Sequence, residues 1–173
     1  MALAGQKTLC LVSGASRGIG REICRQLAET VGPNSALIIT ARSTQQLQEL
    51  QQDCRRLNSQ LTVHCVTQDL AQYSGAAFEA KLRDLVRSHG RFDCAVVVHN
   101  AGTLGAIDRP AVALNCAEDW HAYMQVNVVS TIQLNSVFLS VVSANVAKRR
   151  LVVNISSLLA VQQMPSFAQY CVG

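Results

Sequence analysis

The fold is decided by the stretch Ser13-Gly14-Ala15-Ser16-Arg17-Gly18-Ile19-Gly20. An apolar run at residues 8–12 precedes this stretch. The pattern that follows is helical, and it places on one face Ile19, Ile23, Leu27 and Val31. A strand, a glycine-rich turn and a helix in this order are the setting that a dinucleotide-binding turn requires.

Each glycine of this turn has a separate physical role. Gly14 permits the sharp turn away from the strand, and Gly18 lets the backbone come close to a pyrophosphate. Gly20 lets the helix sit tightly on the sheet. Because the first turn of a helix presents free N–H groups and a partial positive charge, the pattern predicts that phosphates bind here.

Composition narrows the class of protein. The chain has 173 residues, of which 49% are hydrophobic and 15% are charged, and this predicts one globular domain over residues 1–173. The net charge of +4 is mild and no basic tract stands out, so we expect no nucleic-acid partner. We expect no membrane partner either, because no apolar run is long enough to span a bilayer and residues 1–7 do not resemble a signal peptide.

The seven cysteines are scattered along the chain. They form neither a Cys-x-x-Cys pair nor a Cys/His cluster, so the sequence indicates no metal site and no disulfide framework. Several lie in apolar runs, which is typical of buried thiols. A reducing compartment, the cytoplasm, is therefore expected.

Apolar runs and helical patterns alternate along the chain. Strands are expected at residues 8–12, 35–41, 61–66, 94–98 and 151–155. Helices are expected after the glycine turn and at residues 44–57, 76–88 and 118–148, with a long loop at 103–117. Because the strands are continuously apolar, they predict a parallel sheet buried on both faces. The fold class is thus α/β, a doubly wound, Rossmann-like sheet of about five strands in the order 3-2-1-4-5.

Polar residues and glycines follow each predicted strand. They are Gly14 to Gly20, Ala41-Arg42, Asp69-Leu70, Asn100-Ala101-Gly102 and Ser156-Ser157. Ligands of open parallel sheets bind beyond the carboxyl ends of the strands. The five groups are therefore expected to line one ligand-binding rim.

Arginine replaces the expected acid at the end of the second strand. A cofactor without a 2′-phosphate usually meets a carboxylate there, but this chain has Ala41 and Arg42. Arg17 lies in the glycine turn nearby. Two guanidinium groups match the charge and geometry of a 2′-phosphate, so the sequence favours NADP(H) as the cofactor.

The chain resembles the classical short-chain dehydrogenase/reductase family. The resemblance rests on Gly14-x-x-x-Gly18-x-Gly20, Asn100-Ala101-Gly102 and Tyr170 at the family's separations. It implies that the cofactor contacts Ala15, Ser16 and Ile19 as well as the three glycines and two arginines. It further implies that Asp69 and Leu70 hold the adenine and that Asn100, Ala101 and Gly102 line the far ribose.

The resemblance also implies a catalytic set. Ser157 and Tyr170 stand thirteen residues apart, which is the family's spacing for its serine and tyrosine. Ser157 would hydrogen-bond the substrate carbonyl oxygen, and Tyr170, which also contacts the cofactor, would protonate it. Asn127 matches the helix asparagine that anchors a proton-relay water. We expect Ser156 to be a bystander and His99 to be a satisfied structural histidine rather than a base.

Within the family, the resemblance is greatest to members that reduce a side-chain carbonyl of a pterin with NADPH. It rests on Gly14 to Gly18, Thr40-Ala41-Arg42, residues 100–105, residues 152–158 and Tyr170-Cys171. It implies a small carbonyl substrate, a pterin among them, and a homodimeric complete enzyme. A different carbonyl or alcohol substrate stays open as an alternative.

The sequence given stops at Gly173, one residue before the lysine of the family's Tyr-x-x-x-Lys pattern. We therefore expect either a fragment of a longer product or a truncated form, and we expect Val152 and Ile155 to be exposed. An ammonium beside the tyrosine lowers its pKa, so residues 1–173 alone are expected to be nearly inactive and poorly stable. A catalytically dead nucleotide-binding module is the remaining alternative.

Overall fold

The computed structural model describes residues 3–162 and 164–173, and its centre is one parallel β-sheet. The strands are β1 (Thr8–Ser13), β2 (Ala36–Ala41), β3 (Thr62–Thr67), β4 (Phe92–His99) and β5 (Ala147–Asn154). Their order is β3-β2-β1-β4-β5, with every neighbouring pair parallel. The predicted doubly wound, Rossmann-like α/β fold is confirmed, including its strand order.

Helices cover both faces of the sheet. They are α1 (Gly18–Thr30), α2 (Thr44–Leu57), α3 (Gly75–His89), α4 (Ala117–Met124), α5 (Ser130–Val141) and α6 (Ala168–Val172). A π-helical turn, Gln125–Val129, joins α4 to α5. Short 3-10 turns lie at Leu70–Gln72, Ala111–Ala113 and Leu158–Ala160.

Two apolar clusters hold the helices to the sheet. On one face, α1 and α2 bury small and branched side chains, among them Cys24, Leu47 and Leu50. On the other face, α3 and α5 bury larger ones, led by Phe78 and Phe138. Every residue of β1 and β2 is buried. Close packing around these two strands holds them in place, so the first residues of the loops at their carboxyl ends are well positioned.

The prediction of one helix over residues 118–148 is wrong. The regular helix ends at Val141, and the N–H of Val142 caps it by donating to the Phe138 carbonyl over 2.8 Å. The chain then turns at residues 143–146, and β5 begins at Ala147, opposite Phe92 of β4. Ser143 and Asn145 favour turns, and backbone pairing with β4 outweighs the helical pattern there.

The four residues that share one face of α1 differ in burial. Val31 is buried, Ile23 and Leu27 pack against the core, and Ile19 is 64% exposed. The helix buries Gly20, Cys24 and Ala28 as well, and such small residues allow a helix to approach a sheet closely. Leu57, the last residue of α2, is exposed too.

The outer strand β5 presents apolar side chains to solvent. Val152 and Ile155 are exposed, as predicted, and Val153 is exposed with them. Within residues 3–162 and 164–173, no helix is long and apolar enough to cross a membrane. The same residues contain no cluster of three metal-ligating side chains.

Candidate functional site

The glycine turn after β1 lies directly against the loop after β4. Gly14 adopts φ +67°, which side-chain-bearing residues rarely adopt. A Cβ built on Gly14 would lie 2.8 Å from the Cα of Ala101 and 3.0 Å from its nitrogen. The Ala15 N–H donates to the Thr40 carbonyl over 3.1 Å. The turn is therefore fixed between β2 and β4, as the role assigned to Gly14 requires.

A pair of polar side chains joins the two loops. The hydroxyl oxygen of buried Ser13 accepts from the backbone N–H of Asn100 over 3.0 Å and from that of Ala101 over 3.1 Å. In return, Asn100 Nδ2 donates to the carbonyls of Ser13 over 3.2 Å and Gly14 over 3.1 Å. Asn100 thus shapes the glycine turn. Sequence reasoning missed Ser13, although a polar residue at the end of a largely apolar strand was a signal for it.

The N-terminus of α1 is open to a ligand. Gly18 has φ +56°, and a Cβ built on it would meet no atom within 4 Å. Arg17 is the N-cap residue, its side chain makes no capping hydrogen bond, and the first turn contains no acidic residue. Because free N–H groups and the helix dipole favour anions, this turn can receive a phosphate.

Two exposed arginines flank this opening, Arg17 in the turn and Arg42 just after β2. Within the described part of the chain, neither guanidinium takes part in an ion pair, whereas Arg21 pairs with Asp53 over 2.7 Å. Ala41, before Arg42, is buried at the strand end. Both positive charges are therefore available to an anionic ligand.

Asp69 and Leu70 follow β3 at the same edge of the sheet. The Asp69 carboxylate caps a 3-10 turn by accepting from the Ala71 N–H over 3.0 Å, and it is otherwise exposed. Leu70 is half-buried. Contact of these two residues with an adenine stays a prediction.

Asn127 lies in the π-helical turn between α4 and α5. Its amide holds the backbone of Thr103, which follows the Asn100–Gly102 segment, through two hydrogen bonds of 2.8 Å. π-Helical turns inside helices occur frequently at functional sites. Asn127 thus positions the loop after β4, a contact that its sequence pattern did not reveal.

Ser157 and Tyr170 belong to neighbouring elements after β5. The half-buried Ser157 caps the Leu158–Ala160 turn, its hydroxyl oxygen accepting from the Leu159 N–H over 3.3 Å. The short helix α6, which carries the half-buried Tyr170, packs against this turn. Ser156 is exposed. A hydroxyl that accepts one hydrogen bond retains its proton for donation to a substrate.

Gln169 is a second residue that sequence reasoning missed. Although it is polar, only 2% of it is exposed, and its Oε1 accepts from the Ala106 N–H over 2.9 Å. It anchors α6 to the loop after β4. No sequence signal distinguished this glutamine from an exposed one.

Burial shifts the pKa of two titratable side chains near the site in the direction that disfavours their charged forms. Burial lowers the pKa of His99, and a hydrogen bond from its ring to Asn135 Oδ1 partly opposes this. His99 Nε2 lies 3.3 Å from Asn135 Oδ1, while Nδ1 has no partner among the described residues. His99 is therefore buried as expected but only half satisfied. Burial also raises the pKa of Tyr123, and the nearby Tyr170 and Cys171 add to this effect.

The predicted site residues fall into two groups that are each joined by contacts, while two arginines lie outside both groups. Direct contacts join the glycine turn to Asn100 and Ala101, and Asn127 to the continuation of that loop. A second group consists of the Leu158–Ala160 turn, which Ser157 caps, and helix α6, which carries Tyr170 and packs against that turn. In the described chain, the side chains of Arg17 and Arg42 make no hydrogen bond with either group.

Comparison with known proteins gives a consistent result. The profile of the short chain dehydrogenase family matches residues 8–172. Sepiapterin reductase of Bos taurus is 33% identical over 168 residues, which are 96% of this chain and 62% of the bovine protein. The chain thus spans less than two thirds of the length of this relative.

Solved structures with the same fold include two complexes with NADP. A short chain dehydrogenase from Shigella flexneri 2a str. 301 superposes with a TM-score of 0.81 at 25% identity, covering 98% of this chain and 66% of that protein. A metagenomic short-chain oxidoreductase superposes with a TM-score of 0.77 at 29% identity, covering 99% of this chain and 71% of that protein.

Proposed function

Because this chain belongs to the short-chain dehydrogenase family, we propose that it forms the dinucleotide-binding and catalytic part of an NADPH-dependent carbonyl reductase. The observation that carries the proposal is the contact between the turn after β1 and the loop after β4. The N-terminus of α1 at Gly18 lies open beside this contact, and Arg17 and Arg42 form no ion pair with any described residue.

The residues present fit NADP(H). Gly18 leaves open space where the backbone can approach a pyrophosphate, and the N–H groups of α1 can bind its oxygens. Arg17 and Arg42 provide two positive charges for a 2′-phosphate. The other residues that we assign to the cofactor are Gly14, Ala15, Ser16, Ile19, Gly20, Ala41, Asp69, Leu70, Asn100, Ala101, Gly102 and Tyr170. The NADP complexes of the two structural neighbours support this assignment.

The reaction that we propose is the reduction of a carbonyl to an alcohol. When bound, the cofactor supplies the hydride that the carbonyl carbon receives. Ser157 donates a hydrogen bond to the carbonyl oxygen, which lowers the cost of the negative charge that develops there. Tyr170 transfers its phenolic proton to the same oxygen, which completes the alcohol, and regains a proton from solvent. Asn127 anchors the water that carries this proton and fixes the loop opposite.

The substrate class that we propose is a pterin with a carbonyl in its side chain. The similarity to sepiapterin reductase supports this choice, and it would place the protein in tetrahydrobiopterin biosynthesis. All seven cysteines are unpaired, which supports a reducing compartment such as the cytoplasm. By analogy with the family, we propose a homodimer for the whole protein.

The experiment measures NADPH consumption with sepiapterin and with simpler carbonyl compounds, using the protein expressed from its complete gene. Ser157→Ala should lower kcat by about 10²–10³-fold, the cost of removing one oxyanion-stabilising donor. Ser156→Ala, one residue away and exposed, is the matched control and should stay near wild type. Tight NADPH binding without reduction of any carbonyl compound would favour a nucleotide-binding module instead.

A further inference from the structure

We infer that Gln169 is a positioning residue that sets the direction of the Tyr170 phenol by locking α6 to the loop after β4. This inference rests on the proposed role of Tyr170 as the proton donor. Its basis is the hydrogen bond from the Ala106 N–H to Gln169 Oε1 over 2.9 Å, made by a side chain that is almost wholly buried.

Gly105 and Tyr123 lie close to this hydrogen bond. Gly105, next to Ala106, has φ +70°, and a Cβ built on it would lie 2.5 Å from Gln169 Oε1 and 2.9 Å from Tyr123 Cδ2. Tyr123, from α4, is itself buried. The glutamine amide therefore fills a space bounded by the loop and by α4, and it cannot move without displacing one of them.

Helix α6 has only five residues, Ala168–Val172, and Gln169 is its one buried residue. So short a helix has little stability of its own, so its orientation depends on what anchors it. Successive residues of a helix point about 100° apart. Fixing the Gln169 side chain therefore fixes the rotation of α6 about its axis, and with it the direction in which Tyr170 points.

Packing alone does not explain a glutamine at this position. Its Nε2 is buried without a partner among the described residues, and an unpaired buried donor is destabilising. A leucine or methionine would fill the same space without that cost. The amide is therefore better explained by its bond to Ala106, which ties the tyrosine helix to the loop that Asn127 holds at Thr103.

The inference predicts a specific pattern of effects. The residues assigned to the pyrophosphate and the 2′-phosphate, Gly14–Gly20 and Arg42, lie in the turn after β1, the first turn of α1 and the segment after β2, and Gln169 makes no hydrogen bond with them in the described chain. Loss of the Gln169 bond should thus leave NADPH affinity within about twofold, while misdirection of a reacting group should lower kcat by about 10- to 100-fold. A residue that only stabilised the fold would alter both, or neither.

The test compares Gln169→Met, which keeps the volume but loses the acceptor, with Gln169→Glu, which keeps an acceptor oxygen. Gln133→Met, on the exposed surface of α5, is the control. NMR of each protein follows the exchange of the Ala106 amide and the ring signals of Tyr170, neither of which needs turnover. Steady-state kinetics then give kcat, and titration gives the Kd for NADPH.

Gln169→Met should speed Ala106 exchange by about tenfold or more, shift the Tyr170 ring signals and lower kcat. Gln169→Glu should restore all three. Unchanged Tyr170 signals in Gln169→Met would overturn the inference, as would unchanged kcat in an active protein or an equal loss in both variants. If wild type reduces no carbonyl compound, the proposed function fails, and the NMR comparison alone decides the inference.

Discussion

The amide side chain of Asn127 makes both of its hydrogen bonds to one residue, Thr103. The Thr103 N–H donates to Oδ1 over 2.8 Å, and Nδ2 donates to the Thr103 carbonyl over 2.8 Å. Asn127, in the π-helical turn, therefore pairs with both backbone groups of Thr103, as the backbone of a neighbouring strand would, and fixes the loop after β4. The same loop is held at its start, Asn100, by Ser13 and four residues beyond Gly102, at Ala106, by Gln169, so the loop is preformed.

Replacement of Asn127 should release this loop. Asn127→Ala removes two hydrogen bonds, so we expect the free energy of unfolding to fall by about 1–2 kcal/mol. Urea denaturation measures the change, and faster exchange of the Thr103 amide should accompany it. Asn115→Ala, an exposed asparagine in the same region, should change stability by less than about 0.5 kcal/mol. Equal effects of the two variants would show that the loop does not depend on Asn127.

Comparing Gly14 with Gly90 distinguishes the cost of a left-handed backbone conformation from the cost of a steric clash. Gly14 has φ +67° and abuts Ala101, whereas Gly90 has φ +68° and open space around it. We expect Gly90→Ala to cost about 1–2 kcal/mol, from the left-handed conformation alone. Gly14→Ala should cost clearly more and should weaken NADPH binding, because backbone must move. Urea denaturation and cofactor titration measure these effects, and an equal loss of stability in both variants would refute the packing argument.

Preference for NADPH over NADH should depend on Arg42. A hydrogen bond to a charged group contributes about 1.5–3 kcal/mol, so Arg42→Ala should raise the Kd for NADPH about tenfold to a hundredfold. Affinity for NADH, which lacks the 2′-phosphate, should hardly change. Arg91→Ala, an exposed arginine at the opposite end of β4, is the matched control. Titration by nicotinamide fluorescence tests this, and equal wild-type affinity for both cofactors would contradict it.

The free energy of unfolding should fall in mild acid because of buried His99 and half-buried His64. Burial lowers the pKa of His99 and of His64 below the ordinary value of 6.5. The unfolded chain therefore binds protons near pH 6.5 while the folded chain does not, so the free energy of unfolding decreases as pH falls below that value. His99→Gln should make this decrease shallower, and His121→Gln, at an exposed position, should not. Denaturation curves from pH 7 to 5 decide between them.

The sheet could be predicted because its evidence is local. Five continuous apolar runs, each followed by glycine or polar residues, determine β1 to β5 and the shared rim. The glycine turn was predictable for the same reason, because the need for glycine at a sharp turn is local. In the structure, Gly14 and Gly18 both have the positive φ that glycine adopts readily. The boundaries after α5 were not, because the pattern of residues 142–150 is compatible with a helix and only pairing with β4 decides otherwise.

Residues whose role depends on tertiary contacts could not be predicted from the sequence. The spacing from Ser157 to Tyr170 is a pattern, but Gln169 gains its role from Gly105 and Ala106, which lie more than sixty residues away. The exposure of Ile19, beside buried Gly20, likewise follows from the packing of α1 on the sheet and not from its helical spacing. Helical periodicity predicts which residues share a face of a helix, but it does not predict how deeply each of them is buried.

The most direct test of the proposed carbonyl reduction follows the transfer of hydride from NADPH to the substrate. The protein from its complete gene is incubated with sepiapterin and NADPH that carries deuterium at the transferable position of the nicotinamide. Mass spectrometry then locates the label. We expect one deuterium on the new alcohol carbon, and its rate of appearance should fall by about 10²–10⁴-fold in Tyr170→Phe, which lacks the proton donor. Bound NADPH that transfers no deuterium to sepiapterin or to any simpler carbonyl compound would contradict the account.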